Sequence, residues 1–162
     1  MYKRQVYTRA AIDGDGEIVV RGQQSLRIGR VGAGDAPTTI GDQLASAGIG
    51  ISIEDDIRRE VWRKLVRNAS TNLVSGLTGA TLEQMSQDAG LLEIVTGIAS
   101  EVIALASRFD RPLASELDRF VDELRRAGPH LTSTLQDIRA GREPELDAVS
   151  YTHLTLPTNR EV

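Results

Sequence analysis

Lys64, Asn68 and Asn72 follow one another at intervals of four residues, and on a helix of 3.6 residues per turn such positions drift by only about 40° per step. One face would therefore present an ammonium group and two carboxamides. A lysine ammonium is compact, gives up its proton when desolvated, and can donate to a carbonyl oxygen, whereas arginine stays charged. Carboxamides both donate and accept, which suits them to holding hydroxyls. Together these groups describe one wall of a site for a small hydroxylated carbonyl compound. The plainer alternative is a solvated lysine beside two tolerated surface asparagines. Asparagine is a poor helix former, and two on one stripe carry a cost that packing does not return.

Composition singles out the same stretch. Between Val6 and Ala148 the chain uses fifteen arginines and one lysine, Lys64; Asn68 and Asn72 are the only asparagines and Trp62 the only tryptophan. A chain so biased towards arginine has little need of lysine for solubility. The 162 residues, 40% hydrophobic and 26% charged, fit one globular domain with a core. A net charge of -4 with interspersed signs leaves no basic footprint for nucleic acid, and 4% aromatics give no stacking platform for bases. The absence of cysteine excludes disulfides and thiolate metal sites and fits a reducing cytoplasm. No apolar run approaches the ~18 residues of a membrane span, and the N-terminus lacks a signal-peptide core.

The two ends read together. Tyr2 to Gln5 can be encoded by TAT AAG AGA CAG, whose reverse complement encodes Val-Ser-Tyr in one frame, the residues at Val149 to Tyr151. Residues 1–5 and 149–162 resemble a translated transposase mosaic-end adapter from sequencing libraries. They are set aside from fold reasoning, which leaves Val6 to Ala148.

The elements that must position the stripe follow from patterning. Val6-Tyr7-Thr8, Glu17 to Arg21 and Ser25 to Ile28 are strand-like around the Asp13-Gly14-Asp15-Gly16 turn and predict antiparallel strands. Gly29 to Thr38 reads as loop. A short helix over Thr39 to Ala47, with Ile40, Leu44 and Ala47 as its apolar side, precedes a strand at Ile49, Ile51 and Ile53. From Asp55 the pattern is helical. Glu54, Asp55 and Asp56 favour a helix N-terminus, and this helix is expected to reach Ser75 and end at Gly76 and Gly79. Thr81 to Gln84 is a capping box. Further helices are predicted over Leu91 to Phe109, apolar on several sides, Ser115 to Ala127, with Leu117, Phe120, Val121 and Leu124 inward, and Thr134 to Ala140, capped by Thr132 or Ser133. Pro144 suits the start of a last helix.

Trp62-x-Lys64-Leu65-x-x-Asn68-x-x-x-Asn72, followed by Ser133-x-Leu135-Gln136-Asp137-Ile138-Arg139-x-Gly141-Arg142-x-Pro144-Glu145-Leu146-Asp147, resembles the ketopantoate reductase (2-dehydropantoate 2-reductase) family. The similarity covers essentially all of Val6 to Ala148. The resemblance implies an NADPH-dependent reductase of a 2-keto acid, with an N-terminal Rossmann domain and a helical C-terminal domain like that of 6-phosphogluconate dehydrogenase. By position, Lys64 matches the catalytic lysine on the keto oxygen and Glu145 the acid that orients it. Asn68 and Asn72 match the amides that hold substrate, and Ser133 the hydroxyl on its carboxylate. Alone, Ser133 would read as a helix cap and Glu145 as a first-turn acid.

Two departures bear on this. Thr134 stands where the family often has methionine. No Gly-rich phosphate loop is present: the glycines of Gly29 to Gly34 follow a late strand and do not open a first βα turn. The expectation is therefore an α+β, mainly α, internal piece of such a reductase. Residues 6–53 are expected to end the NADP-binding domain and 54–148 to form most of the helical substrate domain. NADPH would be held mainly by the part not present, so the piece alone would be inactive. Alternatives are a helical dimerisation module using the Leu91 to Phe109 helix, and a paralogous reductase of another keto acid. The expected partners are a small keto acid and, through the helical domain, a second copy; no nucleic acid or membrane is expected.

Overall fold

In the computed structural model, residues 2–7, 10–12, 15, 17–20, 25–31 and 36–144 are described. The strands are β1 (Tyr2–Tyr7), β2 (Ala10–Ile12), β3 (Ile18–Val20), β4 (Ser25–Arg30) and β5 (Gly50–Glu54). The helices are α1 (Thr38–Ser46), α2 (Ile57–Thr78), α3 (Leu82–Gln87), α4 (Ala89–Arg108), α5 (Glu116–Arg126) and α6 (Ser133–Arg139). The chain divides into two units, Met1–Val61 and Trp62–Val162, with the division inside α2. The expected α+β, mainly helical architecture is what forms.

In the first unit β4 is central, paired antiparallel with β1 and parallel with β5. Parallel pairing needs a crossover, and α1 supplies it, so β4-α1-β5 is a βαβ unit. Strands β2 and β3 pair antiparallel as a separate two-stranded sheet, while Asp13, Gly14 and Gly16 of the expected turn lie outside the described residues. Its first strand is Ala10–Ile12, whereas Val6 and Tyr7 belong to β1, which also takes in residues 2–5 and pairs Tyr2 with Arg30. Helix α1 does not bury the side that its periodicity predicts. Ile40 is 47% exposed, and the buried position is Gly41, where an added Cβ would lie 2.9 Å from Ile53 Cδ1. A helix that seats on a glycine approaches the sheet too closely for its large residues to lie beneath it. Gly29 allows a similar approach, since a Cβ there would lie 2.5 Å from the Glu54 carbonyl oxygen. Arg27 pairs with Glu54 at 2.9 Å and with buried Glu60 at 3.2 Å, tying the first turn of α2 to the end of β4-β5.

The second unit is helical. Its core gathers Val66 and Val74 of α2, Met85 of α3, Val95, Ala99 and Ala106 of α4, Leu113, and Phe120 and Leu124 of α5. Trp62 packs on its edge and stacks on Phe109, ring centroids 5.8 Å apart. The capping box at Thr81 forms as patterned: Gln84 N donates to the Thr81 hydroxyl at 3.2 Å and Thr81 N to the Gln84 side chain at 2.9 Å. Asp88 caps α4 by accepting from Leu91 N at 2.9 Å.

Helix α2 runs past the glycine expected to help end it. Gly76 lies inside the helix, where an added Cβ would meet Ile138 Cδ1 at 3.3 Å and Thr134 Cγ2 at 3.4 Å, so it serves the seating of α6. Gly79, with φ 71°, is the true stop. Helix α4 departs from expectation as well. It buries Val95, Ala99 and Ala106 but leaves Ile94 and Leu105 exposed, and despite Glu93 and Glu101 it is long and apolar enough, by length and composition, to cross a membrane. The apolar-run criterion missed it because those two acids interrupt the run.

Candidate active site

Helix α2 sorts its residues by angle. Val66, Ser70 and Val74 are 0, 0 and 5% exposed and form the stripe that enters the core. Lys64, Asn68 and Asn72 stand two residues earlier, about 200° away, so they occupy the opposite side of the helix. All three are half-buried. Burial pushes the Lys64 ammonium below the ordinary lysine value. An amine in that state donates its proton more readily than a solvated one, which is the property a carbonyl reduction requires.

The hydroxyls of the same helix are already committed. Ser70 donates to the Val66 carbonyl at 2.6 Å, Thr71 to Arg67 at 2.9 Å and Thr78 to Val74 at 2.6 Å. By contrast, no hydrogen bond among the described residues occupies the carboxamide of Asn68 or Asn72. Their donors and acceptors are available to a ligand.

Ser133 is brought to the far end of this helix by its neighbour. Thr132 is the N-cap of α6: its hydroxyl accepts from Leu135 N at 3.1 Å and donates to the buried Ser75 hydroxyl at 2.9 Å. Ser75 in turn donates to the Ala80 carbonyl at 3.1 Å. Because Thr132 does the capping, the Ser133 hydroxyl is exposed and engaged in no hydrogen bond among the described residues. Asn72 stands one helical turn before Ser75, so the start of α6 is pinned beside the Asn72 end of the stripe. Glu145 lies outside the described residues.

Sequence patterning did not find Arg63, Arg67, Glu116 and Glu123. Arg63 donates to Glu116 at 3.1 Å and Arg67 makes a two-pronged contact with Glu123 at 2.6 and 2.9 Å. Burial pushes the Glu123 carboxyl up, but the Arg67 and Arg119 guanidinium groups outweigh it and hold the carboxyl below its ordinary value. An open depression lined by Thr78, Gly79, Ala80, Gln84, Gln87, Asp88 and Leu91 begins 14 residues, about 21 Å, along α2 from Lys64. It includes none of the stripe, and Gln84 and Asp88 are spent on caps, so the chemistry is assigned to the stripe and not to the depression.

A βαβ sheet end leads into a long helix whose half-buried stripe is lysine and carboxamides, the α+β architecture expected of the helical end of a Rossmann-type protein. A family model described as "Ketopantoate reductase PanE/ApbA C terminal" matches residues 56–156. The chain belongs to the ketopantoate reductase family. It is 34% identical over 112 residues to a 2-dehydropantoate 2-reductase of Mesorhizobium japonicum, covering 69% of this chain and 34% of that protein. The fold is that of the 2-dehydropantoate 2-reductase of Geobacter metallireducens, with a TM-score of 0.85 at 22% identity over 94% of this chain and 52% of that one. The enzyme of that name from Methylococcus capsulatus superposes with a TM-score of 0.77 at 26% identity, over 94% of this chain and 50% of that one. The chain thus spans about a third of the length of the curated relative and about half of each of those solved chains.

Proposed function

We propose that this chain is the substrate-domain portion of a longer 2-dehydropantoate 2-reductase, acting in the cytoplasm on ketopantoate in pantothenate biosynthesis. The observation that carries the reading is the combination on α2 and α6: a desolvated lysine, two unspent carboxamides and an unspent serine hydroxyl. In this reading the Lys64 ammonium donates to the keto oxygen and passes it a proton as the alkoxide forms. Asn68 and Asn72 hold the substrate hydroxyl and carbonyl end, Ser133 bonds the carboxylate, and Glu145 orients the lysine.

NADPH supplies the hydride to the carbonyl carbon when bound. The residues present do not form a cradle for its phosphates, since no Gly-x-Gly-x-x-Gly loop is in the sequence. The chain's contribution is therefore to bind, orient and protonate. The coding DNA around the segment tests the reading: an upstream strand followed by Gly-x-Gly-x-x-Gly supports it, and a continuous upstream frame without one removes it. The purified 162-residue chain is expected to oxidise no NADPH with ketopantoate.

A second reading, a dimerisation module, is favoured by the apolar side chains that α4 leaves outside, Ile94 at 53% and Leu105 at 40% exposure. It is compatible with the first. Sedimentation of the Ile94→Glu, Leu105→Glu double variant decides it: a wild-type dimer that dissociates supports it, and a monomeric wild type removes it.

A further inference from the structure

Glu116 is 2% exposed. Its Oε2 accepts from Arg63 Nε at 3.1 Å, while its Oε1 lies 3.8 Å from an Arg67 nitrogen, buried and without a hydrogen bond. Ser115, just before it, has φ 58° and ψ 11°, in the left-handed region that non-glycine residues avoid, and its side chain makes no capping hydrogen bond. That backbone turn is what starts α5 with Glu116 pointing inward. Two unfavourable features thus sit side by side, a strained serine and a buried carboxylate. The N-terminus of α5 eases the charge. A buried ion pair nevertheless contributes little net stability compared with apolar residues of the same size.

What the arrangement does deliver is orientation. Arg63 and Arg67 each precede a member of the stripe, Lys64 and Asn68, and lie about 100° from it around the helix. Both reach α5, where Glu116 receives Arg63 and flanks Arg67, and Glu123 takes Arg67 in two prongs. The Val66, Ser70 and Val74 stripe fixes which side of α2 is inside, and the guanidinium-carboxylate contacts add directional restraints to its rotation. We propose that Glu116 is a positioning residue: through Arg63 and Arg67 it fixes the rotation of α2, and so the direction in which Lys64, Asn68 and Asn72 project. The functional meaning rests on the reductase reading, while the geometric claim stands on this chain alone.

The test separates shape from charge. Glu116→Asp keeps the charge and shortens the reach; Glu116→Gln keeps the reach and an oxygen acceptor but loses the charge. Titration of the Lys64 amine is followed by NMR in the 162-residue chain, with circular dichroism confirming that each variant is folded. A positioning role predicts that Glu116→Asp moves the Lys64 titration upwards, towards the ordinary 10.5 of a hydrated lysine, and that Glu116→Gln moves it less. Asp122→Asn, which breaks only a pair within α5, leaves it in place. The opposite order, or no movement with either Glu116 variant, overturns the proposal. Should Glu116→Asp not fold, Arg63→Lys, which keeps charge but loses the planar fork, is read in the same way on the assigned Lys64 signal. Because the readout is the amine and not turnover, failure here leaves the reductase reading untouched, and failure of that reading leaves this result interpretable.

Discussion

The Thr132 hydroxyl donates to the Ser75 hydroxyl at 2.9 Å, joining two buried side chains 57 residues apart. One oxygen thereby caps α6 and clamps it to α2, which sets Ser133 beside the Asn72 end of the stripe. Thr132→Val is expected to lower the unfolding free energy by about 1–3 kcal/mol, through a lost N-cap and a buried hydroxyl left short of a partner. Ser133→Ala, which removes an unengaged hydroxyl, is expected to stay within about 0.5 kcal/mol. Urea unfolding of both variants checks the contrast; equal losses would contradict the division of labour between adjacent residues.

The Lys64 ammonium gives a pH signature. Its folded-state value lies below 10.5, so between those two values the unfolded chain binds more protons and stability rises with pH. Lys64→Met, which keeps an unbranched stem without the charge, is expected to be more stable than the natural chain at neutral pH. The gap should narrow as pH rises through the folded value and close beyond 10.5. A gap that is independent of pH in chemical unfolding would show that Lys64 is not desolvated.

Glu123 behaves in the opposite sense. With its folded value held below 4.5 by Arg67 and Arg119 against the effect of burial, its contribution is fully present above 4.5 and is lost as pH falls through the folded value. Glu123→Gln should therefore be less stable than the natural chain at pH 7 and indistinguishable from it in strong acid. Thermal unfolding across that range reads the convergence.

Two glycines three residues apart should respond with opposite signs. At Gly76 an added methyl meets only the ends of Ile138 and Thr134, at 3.3 and 3.4 Å, and Ile138 is exposed and can give way. Gly76→Ala is expected to stabilise α2 by about 0.5–1 kcal/mol through helix propensity. Gly79 has open space but φ 71°, so Gly79→Ala is expected to cost about 1–2 kcal/mol. Melting temperatures of the two variants decide the matter; loss in both would mean that α6 cannot yield at Gly76.

Much of this was legible in the residues. The capping box at Thr81, the stop at Gly79 and the inward Phe120 and Leu124 follow from local rules, and these rules hold because they act within one or two turns. What escaped depends on tertiary approach. Gly76 reads as a terminator until α6 is seen resting on it, and α1 reads as seating Ile40 until Gly41 is found against Ile53. The buried Glu116 reads as an ordinary first-turn acid, because nothing in a hydrophobic period announces a left-handed serine before it. Within the candidate site, the stripe itself was legible from helical spacing and residue rarity. Which of Thr132 and Ser133 caps was not, since both can, and only the partner at Ser75 decides.

Whether Lys64 protonates the substrate oxygen is read from the steady-state kinetics of Lys64→Ala in the proposed longer reductase. In that variant kcat is expected to fall by about 100-fold or more, the usual contribution of a positioned general acid, while the melting temperature does not fall. An unchanged kcat in the folded variant would contradict it.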